Sequence, residues 1–152
     1  MATATRPREI ERDGAGPRAE ELVAALERTL AEVDADQRVG PLIGATGMRL
    51  RFELPDLGMA LNLAADEGGE RNLRWSFDDD PGWTPKLVLR MPAAVANRYL
   101  QGRESLAIAI ARGEVSCKGE PRIALLYLPA ARLLGNAYSR VVEAEFPALV
   151  AA

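Results

Sequence analysis

The sequence predicts an α+β domain, a mostly antiparallel five-stranded sheet with helices layered on one face. Three observations lead there. Apolar residues recur at three- and four-residue spacing from Leu22 to Val33, switch to every second residue between Met48 and Met91, and return to broadly helical spacing beyond Pro121. The alternating segments follow one another in the chain with helices before and after them, the order expected of a sheet covered by helices. The chain's 152 residues, 48% of them hydrophobic, suffice for one domain that buries roughly 68–70% of its unfolded surface.

Residues Met1 to Gly16 are polar and punctuated by glycine and proline. They bury too little to offset the entropy of ordering and read as a flexible tail, with the domain expected over 17–148. Pro17 suits the first turn of a helix whose core stripe is Leu22, Leu26, Leu30 and Val33. That helix loosens around Asp34 to Asp36, and Gln37 to Gly44 is a connector with room for one short helix. Met48, Leu50, Phe52 and Leu54 alternate with Arg49, Arg51 and Glu53 in a strand with one wet face. Pro55 to Gly58 turns the chain into a second strand, Met59, Leu61 and Leu63 against Ala60, Asn62 and Ala64. Asp66 to Glu70 reads as a hairpin loop, and Leu73, Trp75 and Phe77 mark a third strand. The three form an antiparallel meander whose polar faces are expected to be open to water. Leu87, Leu89 and Met91 continue as a fourth strand after the loop at Asp78 to Gly82. Pro92 opens a helix that runs through Leu100.

From Gly102 to Ala124 the chain is divided by Gly102, Gly113 and Gly119. Glycine reaches positive φ without a Cβ clash, so these are sharp turns or helix ends. Leu106 to Ala111 alternates large and small, which fits a strand by period and a helix by its alanines and its Leu106–Ile110 spacing; the residues favour helix. Val115 and Cys117 alternate with Glu114, Ser116 and Lys118 in a fifth strand, with Cys117 expected as a buried small hydrophobe. Pro121 to Phe146 reads as helical, interrupted near Pro129 and with a second break left open near Gly135.

Composition excludes several functions. The net charge is −3, and Arg6, Arg8, Arg12, Arg18, Arg49, Arg51 and Arg74 mostly sit beside acids, so they read as solvated faces and no nucleic-acid partner is expected. With no histidine, the usual general base, the commonest metal ligand and every Ser-His or Cys-His nucleophile are missing. One cysteine permits neither an intrachain disulfide nor a cysteine metal cluster. Asp78, Asp79 and Asp80 could hold a hard cation but read as a solvated turn, as do Glu67 and Glu70. Gly40, Gly44 and Gly47 precede a strand, the wrong place for a dinucleotide fingerprint. No enzyme active site, metal or cofactor is expected. The N-terminus lacks a secretory h-region and no apolar run approaches the roughly 20 residues of a membrane span, which makes a cytoplasmic protein the expectation.

The apolar residues carry what functional argument there is. The sheet offers Leu50, Phe52, Leu61, Leu63, Trp75, Phe77, Leu87 and Leu89, and the cover offers Tyr99, Leu100, Leu106, Ile110, Leu126, Leu133 and Ala137. Alanines are frequent in the cover. Small side chains opposite a sheet either let helices sit close or leave a cavity, and both readings stand.

The stretch Tyr99-Leu100-Gln101-Gly102-Arg103, the glycine at Gly113, the strand Glu114 to Lys118 closed by Gly119 and the following Ala/Leu-rich helix resemble the signature region of the sterol carrier protein 2 family. The resemblance extends over about Leu22 to Val142. Glu120-Pro121 departs from it, as does the absence of a peroxisomal tripeptide after Leu149. It implies an apolar tunnel between sheet and helices for a sterol, fatty acid or fatty acyl-CoA, and it implies helix at Leu106 to Ala111. The tunnel wall would then be Leu50, Phe52, Leu61, Leu63, Trp75, Phe77, Leu87, Leu89, Leu100, Leu106, Ile110, Leu126 and Leu133. The leading expectation is non-catalytic lipid binding or carriage. The alternative is an accessory protein presenting lipophilic intermediates to biosynthetic enzymes, as some bacterial relatives of the family do. A transient membrane contact, a protein partner and a homodimer are left open.

Overall fold

The computed structural model describes residues 17–66, 69–77 and 79–151. The expected tail, Met1 to Gly16, lies outside them, as do Glu67 and Gly68 of the expected hairpin loop and Asp78 of the acidic turn. Five strands, β1 (Arg49–Leu54), β2 (Met59–Ala65), β3 (Leu73–Ser76), β4 (Leu87–Arg90) and β5 (Ser116–Lys118), form one sheet in the order β3-β2-β1-β4-β5. Among the described residues, five α-helices accompany them: α1 (Ala19–Ala35), α2 (Val39–Gly44), α3 (Ala93–Leu100), α4 (Leu106–Ala111) and α5 (Pro121–Glu145). The expected α+β class holds. The sheet is mostly antiparallel with one parallel pair, β1 and β4, because the chain leaves edge strand β3 and returns on the far side of β1.

Register decides which side chains meet. Leu50 pairs with Leu63 and Leu87, and Leu63 with Trp75, making one row across the inner face. Phe52 pairs with Leu61 and Leu89, and Leu89 with Cys117, making the next. Against these rows stand α1, through the buried Leu22, Ala25, Leu26, Leu30 and Val33, and α5, through Ala130, Leu134, Tyr138 and Val142. Each fully buried leucine contributes about 1.5–3 kcal/mol of transfer free energy, so this layer contact is the main source of stability.

The outer face is drier than expected. Ala60, Asn62 and Ala64 of β2 are all buried. Flanking strands supply the reason: Arg51 Nη1 donates to Asn62 Oδ1 at 2.7 Å and Asn62 Nδ2 donates to Ser76 Oγ at 3.3 Å. Arg51 also meets Glu53 at 3.0 Å, so this arginine is a structural strut and not a solvated surface group. The Arg51 hydrogen bond holds the Glu53 carboxyl below the ordinary range against the opposing effect of burial.

Side-chain caps fix the connections. Asp36 Oδ1 accepts the amides of Arg38 and Val39 and starts α2, which confirms the short helix in that connector. Asp34 Oδ1 accepts from the Asn72 and Leu73 amides at 2.8 and 2.9 Å, tying the end of α1 to the start of β3. Asp56 accepts the Ala93 amide at 3.0 Å and caps α3. Leu106 to Ala111 is helical, with Ser105 as its N-cap and Gly113 at φ +77° after its end.

Two further expectations are corrected. Helix α5 is continuous across Pro129 and Gly135. Proline removes the hydrogen bond to the carbonyl four residues earlier, here that of Leu125, and Leu125 lies on an exposed face of the helix, where a carbonyl without that bond is not sealed from solvent. Gly135 is there for a close approach, since a Cβ would lie 2.6 Å from the Leu100 carbonyl oxygen. Cys117 is exposed: it shares the inner-face row with Leu89, but β5 is a three-residue edge strand that no helix among the described residues covers at that point. Only Val115, just before the strand, is buried.

Candidate functional site

Between the sheet and the helices runs an apolar seam. One void of about 40 Å³ is lined by Met48, Leu50, Phe52, Leu87, Leu89, Tyr99, Leu100, Leu106, Tyr127, Leu128, Ala131 and Leu134. A second of about 30 Å³ lies against α1, lined by Leu26, Thr29, Leu30, Phe52, Leu61, Leu63, Leu100, Leu134 and Tyr138. Phe52, Leu100 and Leu134 belong to both and form the partition. A broader groove of about 440 Å³ lies on the other side of Tyr99, Leu100, Leu128 and Ala131, which it shares with the first void. It is half polar, adding Gln101, Glu104, Arg132, Asn136 and Ser139. The apolar void and the half-polar groove therefore share a wall.

The elements explain the geometry. β1 and β4 lie side by side, so Leu50, Phe52, Leu87 and Leu89 make a flat floor. Helix α5 is the roof and turns Tyr127, Ala131 and Leu134 toward it. The end of α3 brings Tyr99 and Leu100 to the mouth because Gly135 lets its last carbonyl approach α5. Polar groups within the seam are satisfied. Tyr127 Oη accepts the Arg49 amide at 3.1 Å, and Tyr138 Oη donates to Asn97 Oδ1 at 2.6 Å. Thr29 Oγ1 donates back to the Ala25 carbonyl at 2.7 Å. Burial pushes the phenols of Tyr99 and Tyr138 upward, so both stay neutral. Partial desolvation also pushes the Cys117 thiol up, which leaves it protonated near neutral pH. Among the described residues, no three acids or thiols gather as a metal site.

Of the residues proposed from sequence, Leu50, Phe52, Leu61, Leu63, Leu87, Leu89, Leu100 and Leu106 line the seam. Trp75 and Phe77 pack on the core but away from both voids, with Arg71 stacked 4.8 Å from the Trp75 ring centre. Leu133 packs partly buried outside the voids, Ile110 is 42% exposed and Leu126 is 66% exposed. The α5 assignments miss by one residue: Leu126 and Leu133 stand next to Tyr127 and Leu134, a rotation of about 100° on the helix. The periodicity of Tyr127, Ala130, Leu134, Tyr138 and Val141 carries the correct phase, hidden by additional leucines on the neighbouring face. Met48, Tyr99, Leu128, Ala131 and the α1 residues were not proposed as wall. Leu26 and Leu30 were legible only as core.

This arrangement of sheet, helical roof and seam is the sterol carrier protein 2 fold, seen in several solved structures. One is a solution structure of the sterol carrier protein domain 2 of Helicoverpa armigera, matched over 80% of this chain and 94% of its own with a TM-score of 0.58 and 12% identity. A ubiquinone synthesis protein described as UbiJ-SCP2 matches over 78% of this chain and 94% of its own, with a TM-score of 0.54 and 19% identity. A possible sterol carrier protein from Thermus thermophilus gives the same score and identity over 78% of this chain and 86% of its own. No family model and no curated protein sequence matches the chain. No helix among the described residues is long and apolar enough to cross a membrane.

Proposed function

We propose that this chain binds a hydrophobic ligand (a sterol, a fatty acid or a fatty acyl-CoA) in the seam, and that it carries the ligand without reacting with it. The observation that supports this is a pair of small, apolar-lined voids between sheet and helices, the first sharing a wall with an open groove, in a fold that sterol carrier proteins share. Burying an acyl chain is favourable by about 0.8 kcal/mol per CH₂, so six methylenes supply about 5 kcal/mol with no polar catalyst. The voids are small, and one water needs about 10–15 Å³ of such space. A long chain is therefore taken up as Phe52, Leu100 and Leu134 swing aside and the roof lifts from the floor. The absence of histidine and the protonated Cys117 agree with a non-catalytic role, and a cytoplasmic location belongs to the same proposal.

A second reading is favoured by the exposed apolar ridge of Leu125 and Leu126 on α5. There the chain serves as an accessory protein, presenting a lipophilic intermediate to a biosynthetic enzyme that rests on this ridge. Mass spectrometry of an organic extract from purified protein tests the common core of both readings. Co-purifying lipid and saturable uptake of a fluorescent fatty acid are expected. A protein that yields no lipid and takes up no probe would remove both readings. Leu125→Asp that abolishes delivery to an enzyme while leaving uptake intact separates the second from the first.

A further inference from the structure

We infer that the first turns of α5 form a docking face for an anionic lipid surface, on which the helix lies flat with its arginines at the headgroups. The inference rests on the outer side of α5 and goes beyond the reading of the seam. Residues 123–131 carry no charged side chain, and the segment is apolar on every side of the helix. Such a helix is ordinarily enclosed. Here only Tyr127 and Ala130 of the segment are buried, while Leu125 and Leu126 are each 66% exposed and Leu128 39%. Among the described residues, five of the seven exposed large apolar side chains stand between Ile108 and Leu128, on α4 and α5, which meet at the first void through Leu106 and Leu128. The exposed apolar surface is therefore a patch and not a scatter.

Spacing and charge identify the partner. Arg122, Leu125, Pro129 and Arg132 follow one another at intervals of three, four and three residues, which sets them on one stripe of the helix, and all four are exposed. The two arginines stand about 15 Å apart along the axis. A segment of that length is too short to cross a hydrocarbon core of about 30 Å, but it suits the interface, with leucines among the first methylenes and arginines reaching back to phosphate. Beyond Arg132 the same stripe continues as Asn136, Arg140 and Glu143, so its apolar part ends there. Residues 112–132 hold Arg112, Lys118, Arg122 and Arg132 against Glu114 and Glu120, a net charge of +2 in a chain of −3, which leaves −5 on the remainder. A positive patch repels a second copy brought face to face across a two-fold axis and attracts anionic headgroups. The inner side of these same turns, through Tyr127 and Ala131, roofs the first void, so a docked chain holds that roof against lipid.

The test is co-sedimentation of the full chain with vesicles of phosphatidylcholine alone or of phosphatidylcholine and phosphatidylglycerol in equal parts. The parent is expected to bind the anionic vesicles about tenfold more tightly than the neutral ones at about 0.1 M salt. It should lose most of that preference at about 1 M, where the screening length falls from about 10 to about 3 Å. Leu125→Ser combined with Leu126→Ser is expected to weaken binding to the anionic vesicles about tenfold, and Arg122→Gln combined with Arg132→Gln to do the same. All four positions are exposed, and each pair is compared with the parent by circular dichroism to show that the fold is retained. No vesicle binding by the parent overturns the inference, whether the ridge then pairs with a second copy in analytical ultracentrifugation or seats an enzyme. Binding that survives either pair of changes overturns it as well. Fluorescent fatty-acid uptake reads the seam separately: uptake by a chain that ignores vesicles leaves carriage standing and removes the docking face alone.

Discussion

Replacing Asn97 by alanine should be among the most damaging single changes in this chain. Asn97 sits buried in α3 at the centre of a small polar cluster. Tyr138 Oη donates to its Oδ1 at 2.6 Å, its Nδ2 donates to the Leu149 carbonyl at 2.9 Å, and Gln101 Nε2 reaches the same Oδ1 at 2.9 Å. Alanine removes the Leu149 bond, worth about 1 kcal/mol, and strands the fully buried Tyr138 hydroxyl, which costs about 1–3 kcal/mol. The Leu149 carbonyl keeps Gln101 Nε2 at 2.8 Å, which caps the loss. The expected total is about 3 kcal/mol. Tyr138→Phe removes one bond and leaves Asn97 Oδ1 with Gln101, for about 1 kcal/mol. A domain of this length loses roughly 2–4 °C of Tm per kcal/mol, so far-UV circular dichroism should separate the two variants easily. The double variant should be more stable than the simple sum, because phenylalanine has no hydroxyl to strand. An Asn97→Ala protein within about 0.5 kcal/mol of the parent would refute the reasoning, as would strict additivity.

Other expectations follow from the same geometry. Burial alone would raise the pKa of Asp34, but the Leu73 amide, the Arg71 side chain and the Asn72 amide together hold it below the usual carboxylate range. Its folded pKa is thus depressed, so its contribution is present above about pH 4 and is lost as pH falls through the folded value. Asp34→Asn should cost about 2 kcal/mol at neutral pH and flatten the acid limb of a denaturation midpoint series; an unchanged limb counts against it. Tyr138 has a raised folded pKa, so its contribution is intact below about pH 10 and is lost as pH climbs through the folded value, a decline that Tyr138→Phe should remove from a urea titration at high pH. Gly135→Ala gains about 1 kcal/mol of helix propensity and loses about 1–3 kcal/mol to the 2.6 Å approach of the Leu100 carbonyl. A lower urea midpoint is expected, and a higher one would show that α3 yields without cost. Leu134→Phe places a larger ring at the partition of the seam and should cut fluorescent fatty-acid uptake at least tenfold with the circular dichroism spectrum retained; undiminished uptake would move the ligand elsewhere.

Most of the architecture was legible because strand and helix periods are local. The alternation of Leu50, Phe52, Leu61 and Leu63 and the glycine at Gly113 each say what their own few residues do. Pairing is not local, and so the parallel β1–β4 neighbours and the dry outer face around Asn62 had no signature in the order of residues. Cys117 shows the same limit: its alternation points it inward, but whether anything lies over it depends on where the sheet ends. For the site, the floor was readable from strand period, and the roof was not. Helix α5 carries leucines around more than one face, so Leu126 and Leu133 look as good as Leu134 until packing selects a phase. The groove was invisible in sequence, since it forms only where the end of α3 and the middle of α5 lie side by side.

Cys117 has a further use. It is the chain's single thiol, accessible to a reagent, and its strand partner Leu89 forms part of the floor of the first void. A polarity-sensitive dye attached there needs no engineered cysteine and no removal of competing ones. It would sit one strand away from the floor of the first void, where filling or parting of the layers alters the solvent around the fluorophore. The edge of the sheet thus offers an optical reporter of occupancy, with uptake and release readable in real time on the unmodified sequence.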